Sequence, residues 1–209
     1  AMWAAYDEHL AGEFPGTVPV ALWTSEPNVF IMRDAVIRTP ADLAGLKIRV
    51  AGATAADVAT ALGATPVQMP INQVYNALQT GLIDGVITGA STLNDFKLDE
   101  VADSYTFGAN LGRLSFYAVM TEGTYDALSD EAKAALDNSG NQTVSQSAED
   151  AWNATADAGV ATARTLSENT FVDLTEAEAA VFADAIAAVT GAYVDGVGGA
   201  DALAAMQAD

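Results

Sequence analysis

Arg49 is the residue whose type and setting most invite chemistry. It alternates with Ile48 and Val50 in a short run, Lys47–Ala51, that reads as a strand covered on both faces. A buried cation without a partner is very costly. Arg49 therefore either pairs with one of the chain's 28 acidic side chains or faces a cleft and takes an anion from solution. The residues by themselves leave both readings open. A planar guanidinium at the carboxyl end of a strand is suited to two-pronged recognition of a carboxylate.

Few other chemistries survive. The chain has no cysteine, so disulfides, thiolate metal sites and thiol nucleophiles are excluded. Its one histidine, His9, lies in a polar N-terminal stretch and reads as a surface side chain, which leaves Ser–His and Cys–His systems without a base. No G-x-S-x-G elbow, P-loop or G-x-G-x-x-G occurs; Gly52 before a helix is only a fragment of a dinucleotide loop. The pairs Asp99-Glu100 and Asp130-Glu131 read as solvated helix ends, and Asp84, between Ile83 and Gly85, as a turn carboxylate. No D-x-D-x-D-G calcium loop is present, and no metal or cofactor is expected.

The elements that would hold Arg49 follow from periodicity and punctuation. Val18–Trp23 and Asn28–Met32 read as strands. Thr39-Pro40-Ala41-Asp42 is a helix start with a capping residue, a proline and an acid in register. From there the chain alternates: strand 47–51, helix 54–62 closed by Gly63, strand 65–68, helix 72–80 closed by Gly81, strand 83–88. Such alternation with short connections predicts a parallel sheet flanked by helices, with ligands beyond the carboxyl ends of the strands. Those ends are Arg49–Gly52, Gln68–Pro70 and Thr88–Ser91. The second half adds a strand at 114–121, helical composition from about Ser129 to Ser167 and a strand at 171–173. A capping box at Thr175–Glu178 then opens a helix to about Val194, and a last helix spans 200–207. Residues 2–13 read as the end of an amphipathic helix, stopped near Gly12.

Composition bounds the class. Eight Lys and Arg against 28 Asp and Glu give a net charge of −20, which repels nucleic-acid phosphates and anionic membranes alike. No nucleic-acid partner and no membrane insertion are expected; no uninterrupted apolar run reaches spanning length, and the first residues do not read as a signal peptide.

Four ordered blocks then resemble one family. Asp42-Leu43-Ala44-Gly45-Leu46-Lys47-Ile48-Arg49-Val50 is similar to the "DLKGLKIRV" segment of TRAP-transporter substrate-binding proteins, the DctP-like family. Gly63–Pro70 resembles its "GA-x-P-V-x-M-P", Val74–Gly85 its "VYxALQxGxIDG", and Phe96–Val101 its "FKLxEV". The resemblance implies an α/β fold of the periplasmic-binding-protein-like type: two α/β lobes with a hinge and long C-terminal helices. It places residues 27–114 and 155–209 in the second lobe, and 1–26 and 115–154 in the remaining pieces of the first lobe and hinge. The first lobe would be incomplete, because roughly the first third of the family's length has no counterpart.

By the same resemblance the protein is a periplasmic receptor that binds a small organic acid and delivers it to the membrane subunits of a TRAP permease, without catalysis or cofactor. Arg49 is implied as the carboxylate clamp, with Asn28, Gly52, Met69, Thr88 and Ser91 as further substrate contacts. Asn28 stands where some relatives carry a second cation. Two other readings remain in play: an α/β enzyme acting on a small carboxylate, with Arg49 as anchor and an acid such as Asp84 as base, and an interaction domain that binds no ligand.

Overall fold

The computed structural model describes residues 2–207. Its strands are β1 (Thr17–Thr24), β2 (Asn28–Met32), β3 (Lys47–Val50), β4 (Thr65–Gln68), β5 (Gly85–Gly89), β6 (Ser104–Phe107), β7 (Ser115–Thr121) and β8 (Thr170–Asp173). Its α-helices are α1 (Met2–Ala5), α2 (Ala53–Ala61), α3 (Val74–Gln79), α4 (Thr92–Asp95), α5 (Glu122–Asp126), α6 (Asp130–Ala135), α7 (Asn141–Ala163), α8 (Glu176–Val197) and α9 (Ala200–Gln207). Contacts divide the chain into two compact units. The smaller takes the chain up to Ser25, Ser115–Ala151 and everything from Ala192 on; the larger takes Glu26–Leu114 and Trp152–Gly191.

The larger unit is built on one six-stranded sheet in the order β4-β3-β5-β2-β6-β8. The sheet is mixed; the parallel arrangement expected from residues 47–88 is found in β3, β4 and β5. β3 runs parallel to β4 and β5, and β6 parallel to β8, but β2 lies in the middle antiparallel to both β5 and β6. Strand–helix alternation predicted only the segment from β3 to β5. It carried no information about a strand that enters before the first helix and is sandwiched later. β6 was not anticipated either, although Ser-Tyr-Thr-Phe has the period of two and the aromatic and β-branched content of a strand.

Pleating separates the core of this unit into two layers. Along β2, Val29 and Ile31 join Leu78 of α3, Ala156 and Ala163 of α7, and Val86. Phe30 and Met32 point the other way, to Ile48, Val50, Leu62, Phe182 and Ile186. Phe30 and Phe182 meet with ring centres 5.8 Å apart. A Cβ at Gly85 would run into the end of the Met32 side chain on the neighbouring strand, which would have to shift.

Helix starts follow local chemistry. The Thr39 and Asp42 side chains form a reciprocal capping box around Pro40–Leu43. Thr175 and Glu178 do the same for α8: the Thr175 N–H donates to Glu178 Oε2 at 2.8 Å and the Glu178 N–H to Thr175 Oγ1 at 3.3 Å. By length and composition α8 reaches what a membrane span requires, which corrects the expectation that no segment does. Its Phe182 and Ile186 nevertheless belong to the second core layer.

The smaller unit holds a two-stranded antiparallel sheet of β1 and β7 with a bulge between Pro19 and Ala21. Ser145 of α7 ties it together. Its hydroxyl accepts from the backbone N–H of Leu22 and from Trp3 Nε1, both at 2.9 Å. Phe14 packs edge-on against Tyr117 with ring centres 5.0 Å apart. The helix end expected over residues 2–13 is three short pieces: α1, a π-helical turn at Tyr6–Leu10 and a 3-10 turn at Ala11–Glu13. The stretch from Ala192 to Gln207 was expected with the second lobe, as part of residues 155–209. It clusters instead with this unit, because α9 packs against α1.

Candidate functional site

The larger sheet presents one edge where β3, β4, β5, β6 and β8 all end and β2 begins. Arg49 sits on β3 near that edge and is 4% exposed. It is the only buried cation among the described residues. Its Nε donates to the Met69 carbonyl at 3.0 Å, and no carboxylate pairs with it among the described residues. Burial pushes the guanidinium below its ordinary value, with no opposing contribution from a neighbouring acid. Of the two readings of Arg49, the protein-internal ion pair therefore finds no support. A desolvated guanidinium with both Nη groups unassigned is built to receive an anion.

Register shows which expected residues share its surroundings. Arg49 is the lateral neighbour of Val67 on β4 and of Val86 on β5. Met69 and Thr88 lie two residues further toward the edge, so all three side chains leave the same face of the sheet. Thr88 is buried, and Met69 packs partly against the first core layer. Gly52 begins α2 with φ at +92°, a conformation that favours glycine. No side chain caps α2 there, so its first backbone N–H groups are left to other partners.

Asn28 and Ser91 are placed differently. Asn28 pairs with Gly89 and, by the alternation of β2, leaves the face opposite to Val29 and Thr88. Its Nδ2 donates to the Leu111 carbonyl at 3.3 Å, and its Oδ1 is buried with no hydrogen-bond partner. Ser91 is buried, and its backbone N–H donates to Glu26 Oε1 at 2.6 Å. Glu26, 5% exposed, was missed by sequence reasoning; in a chain with 28 acidic residues nothing marked it out before its burial was visible.

Asp84 does not sit with these groups. It precedes β5, at the opposite end from Thr88, and its Oδ2 accepts the Lys47 N–H at 2.7 Å. That is a turn role, at the opposite end of the strand from Arg49's edge. His9 lies in the smaller unit, beside Glu8 at 4.0 Å.

Two cavities bear on ligand chemistry. One of about 300 Å³ in the larger unit adjoins the amino end of β2, the carboxyl end of β6 and α7. One of about 520 Å³ in the smaller unit is walled by Trp3, Trp23, Gln142, Gln146 and Glu149, with no cation in its described lining.

Residues 4–195 match DctP, described as bacterial extracellular solute-binding protein, family 7. The chain is 26% identical over 204 residues to the C4-dicarboxylate-binding periplasmic protein DctP of Rhodobacter capsulatus, covering 94% of this chain and 58% of that protein. Among solved structures it is similar to a TRAP periplasmic solute-binding protein from Bordetella bronchiseptica with bound (R)- and (S)-mandelate. The TM-score there is 0.87 at 27% identity, over 99% of this chain and 68% of that one. It is also similar to a TRAP solute-binding protein from Rhodoferax ferrireducens in complex with copurified benzoate, with TM-score 0.86 and 28% identity, over 94% and 62% of the two chains.

Proposed function

The chain belongs to bacterial extracellular solute-binding protein family 7, and from that premise we propose that it is a receptor for a small organic acid, holding the ligand's carboxylate on Arg49. One observation carries the proposal: a guanidinium buried to 4% exposure, at the carboxyl edge of an α/β sheet, without a counter-charge among the described residues. An anion arriving there exchanges water for a charge-assisted pair in a desolvated setting, where the interaction is far stronger than at the surface. Thr88 and Met69 flank the clamp on the same face, and the uncapped start of α2 adds backbone donors beside it. The net charge of −20 does not prevent this, because salt screens distant charges beyond about 8–10 Å.

The proposal extends to the whole protein's role: binding without turnover outside the cytoplasm, and delivery of the acid to a TRAP-type permease. The relatives' mandelate and benzoate support a carboxylate as the common recognition element.

The test is thermal unfolding with a panel of organic acids that includes mandelate, benzoate and C4-dicarboxylates. Ligand that binds only the native state at one hundred times Kd adds about 2.7 kcal/mol. A stabilising shift with one class of acid, absent in Arg49→Ala, is the expected result. A shift that persists in Arg49→Ala would move the site elsewhere. No shift with any acid would overturn the receptor reading for this chain.

A further inference from the structure

Pro70 ends the Gly63–Pro70 block, is exposed, and follows the residue whose carbonyl takes Arg49 Nε. A guanidinium has five N–H donors in one plane. The bond to Met69 at 3.0 Å uses the one on Nε, nearest the stem. That removes the side-on grip, in which a carboxylate bridges Nε and one Nη. The remaining donors are on Nη1 and Nη2. Neither makes a hydrogen bond, and neither is among the fully occluded, unbonded side-chain nitrogens of the described residues, so neither is sealed off. A two-pronged grip on a carboxylate is then end-on, with one oxygen on each Nη.

Where that fork points depends on the Met69 carbonyl. The direction of a carbonyl is set by the ψ angle of its own residue, and ψ of Met69 is the angle that a following proline restricts. Contact with the proline ring disfavours the helical region and leaves ψ at about +120° to +160°. The restriction matters because a helical turn, Ile71–Gln73, begins at once and runs into α3. Pro70 stands at φ −58° and ψ 145°, and its own carbonyl accepts the Gln73 N–H at 3.1 Å. Without the proline, Met69 is free to enter that turn, which swings its carbonyl away from Arg49. Strand pairing does not need Pro70, since Val67 and Gln68 already lie in register with Arg49 and Val50.

We propose that Pro70 is a positioning residue for ligand binding: by holding Met69 extended it keeps that carbonyl on Arg49 Nε, so that Nη1 and Nη2 meet the ligand's carboxylate as an oriented, end-on fork. This rests on the reading of Arg49 as the carboxylate clamp and adds what orients it. Pro70 acts through Met69 and Arg49, not by contact with the ligand.

Two measurements on the intact protein test it. The first needs no ligand. With isotope-labelled arginine, the NMR signal of the Arg49 Nε–H is identified by its loss in Arg49→Lys. It is expected to exchange slowly with water, because burial and the Met69 bond both protect it. Pro70→Gly, a change at an exposed position, is expected to speed that exchange by about tenfold or more. Unchanged exchange overturns the inference and leaves the clamp standing. The second is calorimetric titration with benzoate, mandelate and succinate. For an acid that binds, Pro70→Gly is expected to weaken binding about tenfold, the size of one charge-assisted hydrogen bond. Beside Arg49→Lys the same change is expected to weaken it by no more than about twofold, because an ammonium is a point charge with no plane to orient. Equal losses in the two backgrounds overturn the inference, since a merely structural role would carry over undiminished. Pro70→Ala takes the place of Pro70→Gly in both measurements if the glycine variant does not fold. If none of the three acids binds the unaltered protein, the reading of Arg49 fails and this inference falls with it.

Discussion

β2 and β7 are similar strings with opposite fates. Asn-Val-Phe-Ile-Met is buried at every position, whereas Ser-Phe-Tyr-Ala-Val-Met-Thr is buried at none. Both are uncharged and rich in aromatic or β-branched residues, so strand propensity does not separate them. Coverage does. β2 has a strand on each side and a core layer on each face; β7 has β1 alone, in a sheet too small to be stable by itself. The contrast also explains where a charge can do chemistry. Only a sheet closed off from water can desolvate a guanidinium, and Arg49 lies in the closed one.

The largest expected effects test that contrast directly. Phe182→Ala removes a fully buried ring from the second core layer and is expected to cost about 3–5 kcal/mol. Tyr117→Ala on β7, 58% exposed, is expected to cost no more than about 0.5 kcal/mol. Denaturant unfolding measures both; equal losses would mean that the two sheets contribute alike.

Arg49 sharpens the comparison next. Arg49→Lys keeps the charge but loses the planar fork, and carboxylate affinity should fall by about 1–3 kcal/mol. Without ligand, Arg49→Met should raise the unfolding midpoint, because it removes a buried cation that nothing in the described structure neutralises. A lower midpoint would show that Arg49 contributes to folding more than to binding.

Smaller effects sit at the helix caps. Thr39→Ala should cost about 1 kcal/mol by unfolding, the usual loss of an N-cap side chain. Backbone N–H groups of Arg38 and Thr39 hold Asp42 below its ordinary range, and the Thr175 N–H and hydroxyl do the same for Glu178. Their folded-state values are depressed, so this stabilisation is fully present above the ordinary carboxylate range and is lost as pH falls below about 4. A melting series into acid should show the decline, shallower in Asp42→Asn. An unchanged slope would assign acid sensitivity to other carboxylates.

What was legible in the sequence followed from local physics. Periodicity, capping residues and glycine stops located β2 to its ends, the run from β3 to β5, and α8. The burial expected of Arg49 followed from its alternation with Ile48 and Val50. β6 was overlooked because it is four residues long and half polar, and the short helices after β5 left no period to detect. Among the site residues, Arg49, Met69 and Thr88 come together on one face, while Asn28 turns to the other. A strand's pleat is visible in sequence, but its direction relative to its neighbours is not.

The sequence by itself determined that the chain carries one cation in a buried strand setting, no thiol or histidine chemistry to compete with it, and the family's ordered blocks around it. Those facts depend on residue identity and short-range spacing. Only the tertiary structure decided that Arg49 has no carboxylate partner among the described residues, that Glu26 is buried beside Ser91, and that Asn28 Oδ1 is buried without a hydrogen bond. Each of these depends on which of many similar groups is brought near, and chain folding over tens of residues sets that proximity. A count of 28 acids cannot reveal it.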